Sequence, residues 1–386
     1  MRYFIIAGEA SGDIHGSALI DELKAHDSEA QFDFLGGDLM ARSAGHEPLI
    51  HYRDMAFMGF IEVLKHLRSI LGFMSTAKEA MNTTRPDALI LIDYPSFNLK
   101  MAKWAHSEGI PVYYFISPKV WVWKEYRVKD IKRYVKRMFS ILPFETEFYR
   151  KHNYEVEYVG NPTVKEVDNA LKTMCSSSEF RNANSLDPDK PIIGIVPGSR
   201  KKEIRDNLPV MVAAALRHSD CQAVIAGAPS IDASLYREIL GNENISVLHD
   251  QTFELMHHSR VVLVTSGTAT LETALLGTPQ VACYRMNGSK LTYWFYEKLL
   301  KTKYVTLPNL IAAEPSAIIP ELLIHLCTEE NVDAWLSKIL TESDERKHML
   351  EGYERLAEIL TQKDCAATVA TRITEELNNN VRSKQT

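Results

Sequence analysis

Short apolar runs rich in β-branched residues recur along this chain, and stretches with helical periodicity separate them. In the first half, residues 3–7, 32–35, 88–92, 112–116, 138–142 and 156–159 read as strands. Residues 17–26, 61–81 and 99–107 carry helical patterns between them. Apolar runs without polar alternation are buried on both faces, which requires a parallel sheet covered by crossover helices. Residues 173–190 interrupt the rhythm with polar and turn-forming residues, including Asp187-Pro188-Asp189, and predict a domain linker. The pattern restarts at 192–196, 222–226, 246–248, 261–265 and 280–284, and from about Pro315 the sequence reads as helix. The expectation is an α/β chain with two Rossmann-like domains, 1–172 and 191–342, facing a cleft. C-terminal helices at 343–386 are expected to cross back to the first domain.

A formal net charge of −6 argues against nucleic-acid binding through bulk charge. The five cysteines, Cys175, Cys221, Cys283, Cys327 and Cys365, form no CxxC pair, so neither a disulfide framework nor a zinc site is expected. The first apolar run is too short for a signal-peptide core, and no window approaches the ~20 apolar residues that span a bilayer. A soluble protein in a reducing cytosol is the expectation.

Ligands of open α/β sheets bind beyond the carboxyl ends of the strands. After 261–265 stands Ser266-Gly267-Thr268-Ala269-Thr270-Leu271-Glu272. The glycine permits close approach of a ligand, and the first amides of the following helix suit a diphosphate. Glu272, one turn further in, can accept from ribose hydroxyls. A bare Ser-Gly-Thr also reads as an ordinary capped helix start. A second anion site, Pro197-Gly198-Ser199-Arg200, follows 192–196; a guanidinium there can bind phosphate in bidentate fashion and stabilise a leaving diphosphate. In the first half, Gly8-Glu9-Ala10-Ser11-Gly12-Asp13 is a glycine turn but not GxGxxG, and its carboxylates Glu9 and Asp13 suit sugar hydroxyls better than phosphate. Asp93, directly after 88–92 and two residues before Pro95, is placed to take a proton from an attacking hydroxyl, although it could equally cap the next helix. No Asp-x-Asp pair stands at a strand end, so no metal and no cofactor are expected, and Arg200 and helix amides must stabilise the leaving group.

These motifs, together with Ser117-Pro118-Lys119-Val120-Trp121-Val122-Trp123, Leu142-Pro143-Phe144-Glu145 and Leu307-Pro308-Asn309, stand in the order seen in the lipid-A-disaccharide synthase family, and the chain resembles that family from Tyr3 to about Ala370. The resemblance implies a GT-B fold and an inverting, metal-independent glycosyltransferase at the cytoplasmic face of a bacterial inner membrane. The donor would be UDP-2,3-diacylglucosamine and the acceptor 2,3-diacylglucosamine 1-phosphate (lipid X). The products would be a β-1′,6-linked disaccharide 1-phosphate and UDP. It further implies that Arg200, Glu272 and Asn309 hold the UDP, and Ser199, Ser266, Gly267, Thr268 and Ala269 of the two turns are expected to bind the same nucleotide. If the family's base is the second acidic residue that Ser96 replaces, then Asp93, Glu9 or a water must take the proton in this chain; Ser11, Gly12, Ser96 and Asn161 are expected to meet the acceptor. Ser96 stands where the family pattern has a second acidic residue, and Ile324 replaces a frequent glutamine.

An acylated substrate would suit an apolar face at Phe57, Met58, Phe60, Leu64, Leu71 and Phe73, which reads otherwise as core. Lys124, Arg127, Lys129, Lys132, Arg133, Lys136 and Arg137 form a basic strip beside Trp121 and Trp123. Tyr293, Trp294 and Phe295 with Lys298, Lys301 and Lys303 form a second cationic and aromatic cluster. Both suit an anionic membrane surface. His15, just after the Gly12 turn, is the one histidine with any claim to a site. Two alternatives remain at this point: a UDP-sugar 2-epimerase, or a non-catalytic nucleotide-sugar or lipid-binding module.

Overall fold

The computed structural model describes residues 1–55, 67–285, 302–313, 316–360 and 363–385. Phe57, Met58, Phe60 and Leu64 of the apolar face lie outside the described residues, as do Tyr293, Trp294, Phe295, Lys298 and Lys301 of the second cluster. The chain divides into two compact units, Met1–Pro162 with Lys363–Thr386, and Thr163–Gln362.

The first unit holds a parallel sheet of β1 (Arg2–Ala7), β2 (Gln31–Gly36), β3 (Ile50–His51), β4 (Ala88–Ile92), β5 (Val112–Phe115), β6 (Arg137–Ser140) and β7 (Glu157–Tyr158), in the order β3-β2-β1-β4-β5-β6-β7. Its strands are buried on both faces. Phe4, Ile6, Leu89, Leu91 and Tyr114 enter one core, while Tyr3, Ile5, Ile90 and Tyr113 enter another with Val369 and Ile373 of the helix Cys365–Gln385. The order reverses between β1 and β4. There Ala7 pairs with Ile92, and Ile92 with Phe115, so the turns after β1, β4 and β5 leave the sheet side by side.

The second unit holds β8 (Ile192–Val196), β9 (Gln222–Gly227), β10 (Ser246–His249), β11 (Val261–Thr265), β12 (Gln280–Tyr284) and β13 (Glu321–Leu323), in the order β10-β9-β8-β11-β12-β13. Here the reversal lies between β8 and β11, where Val196 pairs with Val264. Such a switch point is where an open α/β sheet offers its crevice to a ligand.

Three expectations need correction. Residues 173–190 are not a linker: they include the helix Ser177–Ala183, capped by Ser176, and Phe180 and Leu186 join the core of the second sheet. The helix Asp344–Ile359 stays with the second unit, where its Tyr353 hydroxyl accepts from Gln280 Nε2 at 3.1 Å; only Cys365–Gln385 belongs with the first. The stretch after Pro315 is not all helix, because Glu321–Leu323 adds a sixth strand to the sheet.

Candidate active site

In the first unit, the turns after β1 and β4 bring Glu9 and Asp93 into electrostatic reach of one another. Asp93 and Tyr94 are consecutive non-glycine residues in the left-handed region, at φ 41° and 47°. Such backbone is costly for residues with a Cβ and concentrates at functional sites. The Tyr94 ring lies so close over Gly8 that a methyl group there would overlap it, and the Tyr94 hydroxyl donates to Met55 O at 2.9 Å. The β1 turn is thereby clamped against the β4 turn. Burial, and then the neighbouring Glu9 carboxylate, push the Asp93 carboxyl up to about 6, against the pull of the Lys119 ammonium and the Tyr94 amide. A carboxyl that titrates near neutrality suits a general base.

The other first-unit candidates fall into two groups. Ser11 is exposed at the start of the helix Ala10–His26, and Ser96 is exposed with its Oγ accepting from Arg127 Nη2 at 3.3 Å. Gly12, in contrast, is buried, with its would-be Cβ 3.1 Å from that of Ala7; it lets helix and strand pack and offers nothing to an acceptor. Asn161 is buried and donates to Ile141 O at 3.0 Å, so its side chain braces a loop. Asp13 receives the amides of Gly37, Leu39 and Met40 at 2.8–3.1 Å, and so anchors the start of the helix Asp38–Ala44 rather than a sugar. Burial holds His15 down at about 4, so its imidazole is neutral at physiological pH.

In the second unit, Gly198 takes φ 110°, and a Cβ there would stand 2.8 Å from Glu203 Oε2 and 3.5 Å from Thr265 Cγ2. The turn after β8 thus lies against the end of β11. Ser199 and Arg200 are exposed, Arg200 precedes the helix Lys201–Ala215, and its Nη1 is 2.7 Å from Glu203 Oε1. The helix Thr268–Leu275 begins after Gly267, with no side chain capping it. Among the described residues the side-chain cap of an ordinary helix start is missing: Gly267 and Thr268 are exposed and Ser266 and Ala269 half-buried, while the Thr270 amide donates to Gly267 O at 3.3 Å. Such a helix start suits an anion. Burial, and then the Glu166 carboxylate on the helix Pro162–Thr173, push Glu272 up to about 7.

Asn309 is corrected. Its Nδ2 donates to Ile319 O at 3.0 Å and Glu321 Oε1 at 2.8 Å, while its Oδ1 accepts from the Ile318 and Ile319 amides at 2.8 and 3.0 Å. The amide has nothing left for a nucleotide. Trp121 is also not an interfacial anchor: it is buried and donates to Glu145 Oε1 at 2.9 Å. Leu71 of the apolar face is exposed, whereas Phe73 packs on the first core.

The sequence gives no role to Glu166, Tyr94, Asn98, Tyr114 or Glu145, although Glu145 closes a noted motif and Tyr94 and Asn98 lie in the stretch that begins at Asp93. Among the described residues, no group of three or more His, Cys, Asp or Glu side chains could hold a metal ion, and no helix is long and apolar enough to cross a membrane.

Two parallel sheets, each with its candidate groups at the strand-order reversal, define a two-domain α/β fold of GT-B type. Solved structures share it: UDP-GlcNAc 2-epimerase from Neisseria meningitidis superposes with a TM-score of 0.62 at 14% identity, over 98% of this chain and 100% of that one. The glycosyltransferase of kitacinnamycin gives a TM-score of 0.60 at 12% identity, over 97% and 99%. At such identities the likeness is one of fold. Sequence is more specific. The chain matches the lipid-A-disaccharide synthetase family over residues 3–373. It is 37% identical to the lipid-A-disaccharide synthase of Acidobacterium capsulatum, over 97% of this chain and 96% of that protein. It is 36% identical to that of Geobacter metallireducens, over 97% of each. The chain belongs to the lipid-A-disaccharide synthase family, and it is a glycosyltransferase of lipid A disaccharide synthesis.

Proposed function

We propose that this enzyme transfers 2,3-diacylglucosamine from UDP to the 6-hydroxyl of 2,3-diacylglucosamine 1-phosphate, with inversion at the anomeric carbon. The Asp93 carboxylate takes the hydroxyl proton, the oxygen attacks the anomeric carbon, and the bond to the diphosphate breaks with its electrons leaving on UDP. Arg200 and the uncapped amides at Gly267, Thr268 and Ala269 meet the charge that develops there, and Glu272 accepts from the ribose. Glu9 raises the basicity of Asp93. Ser11 and Ser96 line the acceptor side, and Arg127, held beside Ser96, suits the acceptor's phosphate.

The observation that carries this reading is the placement of the Asp93 carboxyl, on a left-handed turn at the switch point of the first sheet and beside Glu9. Mass spectrometry of the product from the two diacylated substrates tests it. A disaccharide 1-phosphate with free UDP is the expected result. An epimerised sugar from UDP-GlcNAc alone, or UDP binding without turnover, would sink it.

Peripheral attachment to the cytoplasmic face of the inner membrane belongs to the same proposal. On the helix Val128–Tyr134, Val128 and Ile131 are buried while Lys129, Lys132 and Arg133 are exposed, next to an exposed Tyr126. Basic residues near an anionic surface each contribute about 1 kcal/mol. Co-sedimentation with anionic liposomes should weaken on charge reversal at Lys132 and Arg133; binding indifferent to both the reversal and salt would count against attachment.

A further inference from the structure

Two consecutive left-handed residues with side chains are strained, and such a conformation persists only where its surroundings hold it. Around Asp93 the holding groups are identifiable. The Tyr114 hydroxyl, from β5, donates to the Asp93 carbonyl at 2.6 Å. Asn98 Nδ2, from the helix Pro95–Ser107, donates to the same carbonyl at 2.7 Å and to Ile92 O at 3.1 Å. The Asp93 amide donates in turn to Phe115 O at 3.2 Å. Both lone pairs of the carbonyl and the amide hydrogen of this residue are engaged, so the direction of its Cα–Cβ bond is fixed.

Tyr114 and Asn98 are both fully buried. Among the described residues no group donates to Asn98 Oδ1, so the role of the amide lies on its donor side. Its two donor bonds go to the carbonyls of Ile92 and Asp93. The ring of Tyr114 serves the core, and its hydroxyl serves the turn.

We infer that Tyr114 and Asn98 are positioning residues for catalysis: by gripping the main-chain carbonyl of Asp93 they hold the left-handed turn that aims its carboxylate at the acceptor hydroxyl. The inference rests on the reading of Asp93 as the base. The charged groups that act on Asp93 are Glu9 from the turn after β1 and Lys119 from the turn after β5, with Arg127 acting on Tyr114. A carboxylate released from this grip moves relative to Glu9, and its protonation moves with it, down toward the ordinary aspartate range.

Tyr114→Phe removes the hydroxyl and keeps the ring. Its expected effect is a fall of about 10- to 100-fold in kcat, the scale of a roughly 1 Å misplacement. KM for both substrates should stay within twofold, and the acid limb of the kcat–pH profile should move to lower pH. Asn98→Leu should give the same signature by a different route. Tyr113→Phe is the control, since it deletes an equally buried hydroxyl from the preceding residue, which enters the opposite core; its kcat and acid limb should match wild type. If Tyr114→Phe and Asn98→Leu lower kcat with the acid limb unmoved, or leave kcat intact while Asp93→Asn abolishes turnover, the positioning role is overturned. If Asp93→Asn itself turns over normally, the base assignment fails and the inference with it.

Discussion

The turns after β1 and β4 and the turns after β8 and β11 occupy the same topological position in two similar sheets, yet they are built with opposite chemistry. In the first unit the switch point carries two carboxylates, Glu9 on extended backbone and Asp93 on a turn that is left-handed at Asp93 and Tyr94. In the second it carries an exposed arginine and an uncapped helix start, with the left-handed position at Gly198 assigned to glycine. A group that must remove one proton has to be partly desolvated and precisely aimed, so strain held by buried hydrogen bonds is useful there. A site for a diphosphate needs open amides and an accessible cation, so glycine and exposure are useful instead.

The most damaging substitution for that contrast should be Asp93→Asn. It removes the proposed base and should lower kcat by about 10²–10⁴-fold, as loss of general base catalysis does. Arg200→Ala should lower turnover by about 10²–10³-fold, with thermal stability close to wild type because the guanidinium is exposed. Arg200→Lys should fall between, since lysine keeps the charge and loses the fork.

The two glycines of the second unit sharpen the point on a smaller scale. Gly198→Ala meets Glu203 and takes a left-handed φ, so it should cost about 1–3 kcal/mol in chemical denaturation. A Cβ on Gly267 meets nothing within 4 Å, so Gly267→Ala should leave stability near wild type while weakening UDP binding.

The smallest effect concerns pH. Glu145 is buried, accepts from Trp121 and Ser140, and burial pushes its carboxyl up to about 7 against those bonds. Between the usual glutamate value and 7 the folded state binds the proton more readily than the unfolded one, so stability falls as pH rises through that window. Glu145→Gln should flatten part of this decline between pH 5 and pH 8 in thermal unfolding. Asp93 and Glu272, raised in the same sense, leave the remainder.

The two-sheet plan was readable from sequence because strands buried on both faces must be continuously apolar, as β4, β8 and β11 are. The linker was misplaced because Phe180 and Leu186 are two core residues in an otherwise polar stretch, and nothing local shows that they reach the sheet. β13 was missed because three residues carry no periodicity. Asp93, Glu9, Arg200 and Glu272 became candidates for one reason: each lies in the turn or helix start that follows a strand. Asn309 and Asn161 look in sequence like ligand contacts, but their amides satisfy buried main chain. Glu166 and Tyr114 gain their places only through tertiary packing, Glu166 more than a hundred residues from the Glu272 it faces.

The division of labour between the two switch points is tested most directly by calorimetric titration of UDP into wild type, Asp93→Asn and Arg200→Ala, alongside turnover of each. Asp93→Asn should bind UDP as tightly as wild type while turning over far more slowly, and Arg200→Ala should lose both affinity and turnover. A loss of UDP affinity in Asp93→Asn equal to that in Arg200→Ala would contradict the assignment of proton removal to one sheet and diphosphate binding to the other.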